Sequence, residues 1–186
     1  MKKYLALLVM TAFLIPWATG LCDPIKMDLD FRLPVPEDAA HVGYLGLEKK
    51  GELFALNQIQ TKILIIEIFS MYCPICQREA ADVNSVFEMI QANPSLKDQV
   101  KLIGIGAGNS AFEVEFFKEN YQIRFPLFSD TNFEIHKRIG EVGTPHFVGL
   151  KPHKNKGLEI FYSQSGEITD PKAFLETLIR ASGLKL

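Results

Sequence analysis

The chain has 186 residues, 47% of them hydrophobic and 23% charged, with a formal net charge of -2. That length supports one domain with a sizeable core, and the composition excludes a disordered or fibrous chain. With no basic cluster, no low-complexity tract and no internal repeat, the charge balance gives no basis for nucleic acid or an anionic membrane surface as partner.

At the N-terminus Lys2 and Lys3 precede the apolar run "YLALLVMTAFLI", and "PWATG" follows. A basic start, an apolar centre, a breaker at Pro16 and small residues at Ala18 and Gly20 make residues 1–20 an expected secretory signal peptide. The run is short against the roughly 20 apolar residues of a spanning helix, so an uncleaved anchor is the lesser alternative. Cys22 lies in "TGLC", which departs from the lipoprotein-like Leu-x-(Gly/Ala)-Cys at Thr19 and Leu21. A free thiol is therefore expected there, rather than a lipidated one.

Residues 21–42, rich in Pro and Asp and without a period, read as an extended lead-in to a domain over 43–186. "GYLGL" and "ELFAL" around "EKKG" suggest a hairpin. "KILIIEIF" (62–69) has the unbroken β-branched character of a strand buried on both faces. Pro74 suits a first helical position, with Ile75, Ala80, Val83, Phe87 and Ile90 on one face and "NP" at 93–94 as a stop. A second buried strand, 100–108, completes a right-handed strand–helix–strand unit. Ser110 and Glu113 form a capping-box pair for the next helix. There Phe112, Phe116, Phe117 and Tyr121 are expected to pack in the core. A strand at "FPLFSD", a short helix at "NFEIHKRIG", antiparallel strands "HFVGL" and "GLEIFYSQS", and a helix opened by Asp170–Pro171 follow. The order is βαβ, an inserted α-β-α, then ββα: one α/β domain with a mixed sheet between helices.

The pair in "CPIC" carries the chemistry. Cys73 falls at a helix N-terminus, where free N–H groups and the helix dipole favour a thiolate. Cys76, one turn on, can resolve a mixed disulfide formed by Cys73. A Cys73–Cys76 bridge closes too short a loop to be a useful staple. Zinc needs four ligands, and the four histidines show no ligand spacing beside a single C-x-x-C. Redox exchange is the reading these residues favour, and it calls for no cofactor and no metal.

The strand "ILIIEIF" running into "SMYCPICQRE", with "GTPHF" at 143–147, resembles the thioredoxin superfamily over residues 43 to 183. Within it the chain is similar to TlpA/ResA-type extracytoplasmic thiol–disulfide oxidoreductases and their redoxin and AhpC-TSA relatives. The resemblance implies a thioredoxin fold, a Cys73–Cys76 disulfide in the oxidised state, and a cis Pro145 facing it. Thr144 would then offer its backbone to an extended peptide. Tyr72, Pro74 and Ile75 would line the substrate side. The family's buried acid corresponds to Glu67, placed to take the proton of Cys76, and a second acid near the site corresponds to Glu79. An outward-facing Glu67 and a solvated Glu79 are the plain alternatives. Tyr72 stands where the family usually has Trp, and no His lies beside Cys76, which argues for a reducing pair. His146 is expected to be structural.

The function expected is reduction of disulfides in exported proteins, by a monomer re-reduced by a membrane thiol donor in an extracytoplasmic space such as the periplasm. A peroxiredoxin-like peroxidase using Cys73 is one alternative, since Ser70-x-x-Cys73 resembles a peroxidatic motif. A copper-delivery module on the same fold is another, although its usual C-x-x-x-C is one residue longer.

Overall fold

The computed structural model describes residues 27–48, 51–153 and 157–185. The expected signal peptide and Cys22 lie outside them. Thirteen elements include strands β1 (Arg32–Pro34), β2 (Leu53–Ala55), β3 (Ile63–Phe69), β4 (Val100–Ala107), β5 (Leu127–Asp130), β6 (His146–His153) and β7 (Gly157–Ser165). The helices are α1 (Ala39–Leu45), α2 (Pro74–Ala92), α3 (Ala111–Asn120), α4 (Glu134–Arg138) and α5 (Pro171–Ser182), and a single 3-10 turn covers Leu56–Gln58.

The main sheet has the order β5-β4-β3-β6-β7. β3, β4 and β5 run parallel, while β6 and β7 are antiparallel to their neighbours. β3 is central and buried along its whole length. That burial explains why its sequence is a continuous apolar run rather than an alternating one. Its side chains divide by parity. Ile63, Ile65 and Phe69 join the core under α2, α3 and α5, and Leu64, Ile66 and Ile68 join the core on the opposite face. Glu67 has the parity of the first set, so it points into the layer that holds α2.

Local chemistry sets the helix ends. The Ser110 side chain accepts from Glu113 N–H while Glu113 accepts from Ser110 N–H, so the capping box closes over α3. Asp170 caps α5 through Lys172 and Ala173 N–H, and Pro171 fills a position whose N–H would have no partner. Gly108 turns the chain out of β4 at φ +68 with the Phe133 ring lying against it, 2.2 Å from where a Cβ would sit.

The N-terminal part differs from the pattern read in the sequence. "GYLGL" is not a hairpin strand. Val42 and Leu45, three residues apart, are the buried side of α1, which Asp38 caps at 2.8 Å and Gly46 closes in the left-handed region. The partner of β2 is β1, which falls within the expected lead-in. Phe31 and Leu33 from that stretch are buried in the same core as Leu64 and Ile66. The burial of two large side chains outweighs the loop-like Pro and Asp content around them, at roughly 1.5–3 kcal/mol for each side chain. α3 also departs from expectation. Val114 and Phe117 face the core, but Phe112 is 79% exposed and Phe116 52% exposed.

Candidate active site

β3 ends at Phe69, and the chain turns through Ser70–Tyr72 into α2. Two side chains hold that turn. Met71 N–H donates to Asn109 Oδ1 at 2.8 Å, and Gln77 Nε2 donates to the Met71 carbonyl at 2.7 Å. Cys73 is the N-cap of α2, with its Sγ accepting from Cys76 N–H at 3.3 Å and Pro74 opening the helix. A thiol thus occupies the position where Ser or Asp usually satisfies a free helical amide. Across from it, the Cys73 thiol donates to the Thr144 carbonyl at 3.3 Å. Thr144–Pro145 is a cis peptide bond at the start of β6.

The two cysteines are free thiols here, so the Cys73–Cys76 disulfide expected of the oxidised protein is not formed. Their surroundings are unequal. Partial burial works against the Cys73 thiolate, yet hydrogen bonds with Cys76 and Thr144 and the backbone N–H groups of Cys76 and Ile75 hold its pKa below the ordinary thiol value. Cys76 is fully buried. Its pKa is pushed far up by burial, then by its hydrogen bond with Cys73, with the Glu67 charge adding to both. The first thiol is reachable and readily ionised, and the second is enclosed and protonated.

Both acids read in the sequence are buried, which leaves neither in the solvated position that was the plain alternative. Burial, and then the charges of Glu79 and Cys73, push the Glu67 carboxyl up to about 8. Glu79 lies one turn beyond Cys76, and one of its oxygens accepts from Ile168 N–H in the segment joining β7 to α5. Its Oε2 has no partner among the described residues. Burial raises Glu79 to about 7, opposed by the Ile168 hydrogen bond and assisted by Glu167 and Asp82. A strand residue and a helix residue therefore place two buried carboxyls near one another, Glu67 beside the buried thiol and largely protonated at neutral pH, Glu79 close to half ionised there.

On the outer side, Tyr72, Pro74 and Ile75 are exposed around Cys73. The Tyr72 hydroxyl donates to Glu113 of α3. His146 does not turn toward the thiols: its ring nitrogens meet Ser165 Oγ at 2.7 Å and Ser163 Oγ at 3.0 Å on β7. Asn109 and Gln77 carry parts of the site that the sequence reading did not single out, and Glu113, read there only as half of a capping box, also holds Tyr72. "GAGNS" after a buried strand offered a cue for Asn109, but the residue it holds lies on a different strand–helix connection.

The family model described as "AhpC/TSA family" matches residues 30–162. The chain belongs to the AhpC/TSA family. Of curated relatives, this family member is 22% identical to the thiol-disulfide oxidoreductase ResA of Halalkalibacterium halodurans over 113 residues, 60% of this chain and 61% of that one. It therefore spans less than two thirds of that relative's length. Among solved structures it superposes on dsbF of MTB with a TM-score of 0.59 at 18% identity, covering 85% of this chain and 98% of that one. StoA from Bacillus subtilis gives 0.53 at 23% identity, covering 68% and 88%. These likenesses establish the thioredoxin-like fold and agree with the TlpA/ResA-type resemblance carried by "SMYCPICQRE" and "GTPHF".

Proposed function

We propose that this AhpC/TSA family member is a thiol–disulfide oxidoreductase that reduces disulfides in exported proteins. The observation that carries the reading is the inequality of the two thiols: Cys73 half-buried with a lowered pKa, Cys76 enclosed beside it with a raised one. The Cys73 thiolate attacks one sulfur of a client disulfide, the client S–S bond breaks, and the departing client thiolate takes a proton. Cys76, after giving its proton to the Glu67 carboxylate, attacks Cys73 Sγ and releases the second client thiolate. Two electrons pass to the client and a Cys73–Cys76 disulfide remains, to be reduced by a thiol donor at the membrane. Thr144, whose carbonyl already accepts from the Cys73 thiol, is the backbone edge against which an extended client would lie. The leader-like residues 1–20 support a site of action outside the cytoplasm. Among the described residues no helix is long and apolar enough to cross a membrane.

The experiment is a trap. Cys76→Ser protein from its native compartment should carry mixed disulfides to exported proteins at Cys73, and Cys73→Ser protein should carry none. Turnover of hydrogen peroxide well above the rate of free cysteine, with no trapped protein, would overturn the proposal in favour of peroxidase chemistry.

A further inference from the structure

Six large apolar side chains are exposed among the described residues: Leu53, Tyr72, Ile75, Phe112, Phe116 and Phe133. All but Leu53 follow the C-terminal ends of the parallel strands β3, β4 and β5, the end of the sheet that holds Cys73. Tyr72 and Ile75 flank Cys73 in the chain. The Tyr72 hydroxyl reaches Glu113 in the first turn of α3, next to Phe112, and Phe116 lies one turn further on the same helix face. Exposed apolar side chains therefore stand both beside the reactive thiol and on α3, and the Tyr72–Glu113 hydrogen bond ties the two places together. α3 does not use these two rings to fold, because Val114 and Phe117 supply its buried side. Large apolar side chains exposed together near a reactive group mark an interaction site.

We propose that the Phe112–Phe116 face of α3, tied to the Cys73 turn by the Tyr72–Glu113 hydrogen bond, docks the client polypeptide. The face selects an extended segment with an apolar side chain and a basic residue near its cysteine. This rests on the thiol–disulfide exchange reading above and names its substrate class. Two features choose the occupant. First, a client joined to Cys73 is tethered beside Tyr72, whose hydroxyl is bonded to the first turn of α3, so its flanking residues are held on the α3 side of the thiol. Second, α3 carries Glu113, Glu115 and Glu119 against Lys118 alone, so that with Lys118 paired to Glu115 at 3.6 Å the Glu113 and Glu119 charges are left without a cation on the helix. The frame around the two rings is acidic, which favours a cationic neighbour and disfavours an acidic one.

The test measures the second-order rate at which the reduced full-length protein is oxidised by three disulfides. One is a synthetic peptide disulfide with Phe and Lys beside its cysteines, the second has Ser and Glu there, and the third is 2-hydroxyethyl disulfide. The wild-type protein should prefer the Phe/Lys peptide over the Ser/Glu peptide by roughly tenfold or more, the scale of one good interface contact. Phe112→Ala/Phe116→Ala should shrink that preference severalfold, to the part owed to charge alone, and leave the rate with 2-hydroxyethyl disulfide unchanged. A wild-type protein without the preference, or a double variant in which it is undiminished, would overturn the docking proposal while leaving exchange intact. Failure of the wild-type protein to react with any of the three would instead remove the exchange reading, and the docking proposal with it.

Discussion

Glu67 sits on a strand where every neighbour is apolar, and its carboxyl faces the same layer as Cys76. A buried acid raised to about 8 is a base only when it has lost its proton, so resolution of the mixed disulfide should accelerate as pH rises through that value. Glu67→Gln keeps the shape and removes the base. We expect mixed disulfide to accumulate, resolution to slow by roughly a hundredfold, and the rise near pH 8 to disappear, as read by quenched-flow thiol trapping. Cys73→Ser should abolish exchange outright, whereas His146→Gln, acting on a ring held between two serines of β7, should leave it near wild type.

Helices and strands were legible where one property dominated. β3 declared itself by an unbroken apolar run, α2 by Pro74 and its apolar period, and α3 and α5 by their caps. The positions of the two cysteines followed from the junction of two such elements. What stayed hidden depended on partners distant in the chain. β1 is three residues long, and only its pairing with β2 makes it a strand. Phe112 and Phe116 have helical spacing, but spacing alone does not say which side of α3 faces the core. Met71 gives no sign that Asn109 will hold its N–H. At this scale Gly108→Ala should be severe, since the left-handed backbone and the Phe133 ring both oppose a Cβ. We expect a loss of more than about 2 kcal/mol in denaturant unfolding, against about 1 kcal/mol for Ser110→Ala, which removes one cap.

For the whole molecule the two buried acids dictate a pH dependence. Each carries its proton more readily folded than unfolded, with Glu67 near 8 and Glu79 near 7 against an ordinary value of 4.5. Between those values the folded state binds more protons than the unfolded state, so stability falls as pH rises and the loss levels off above the folded pKa values. The slope approaches about 1.4 kcal/mol per pH unit for each carboxyl in its window. Thermal unfolding of the reduced protein should show a falling midpoint from about pH 5 to 8, and Glu67→Gln should flatten it and stabilise the protein at pH 8. Leu33→Ala, far from the thiols but fully buried where β1 covers the second core, should cost about 2–5 kcal/mol with the exchange rate unchanged.

The pairing of β3 with β6 joins Leu64 to Leu150 and Ile68 to His146, segments from the early and late parts of the domain. α2 and its two cysteines can form locally with β3 and β4, but Thr144 reaches Cys73 only when β6 has been added beside β3. Loop closure over so long a stretch is a late, slow contribution to folding. Until β6 is in place, Cys73 and Cys76 lack the backbone carbonyl of Thr144 beside them. Completion of the sheet is thus the step that brings the Thr144 carbonyl to the Cys73 thiol and gives that sulfur its neighbour across the site.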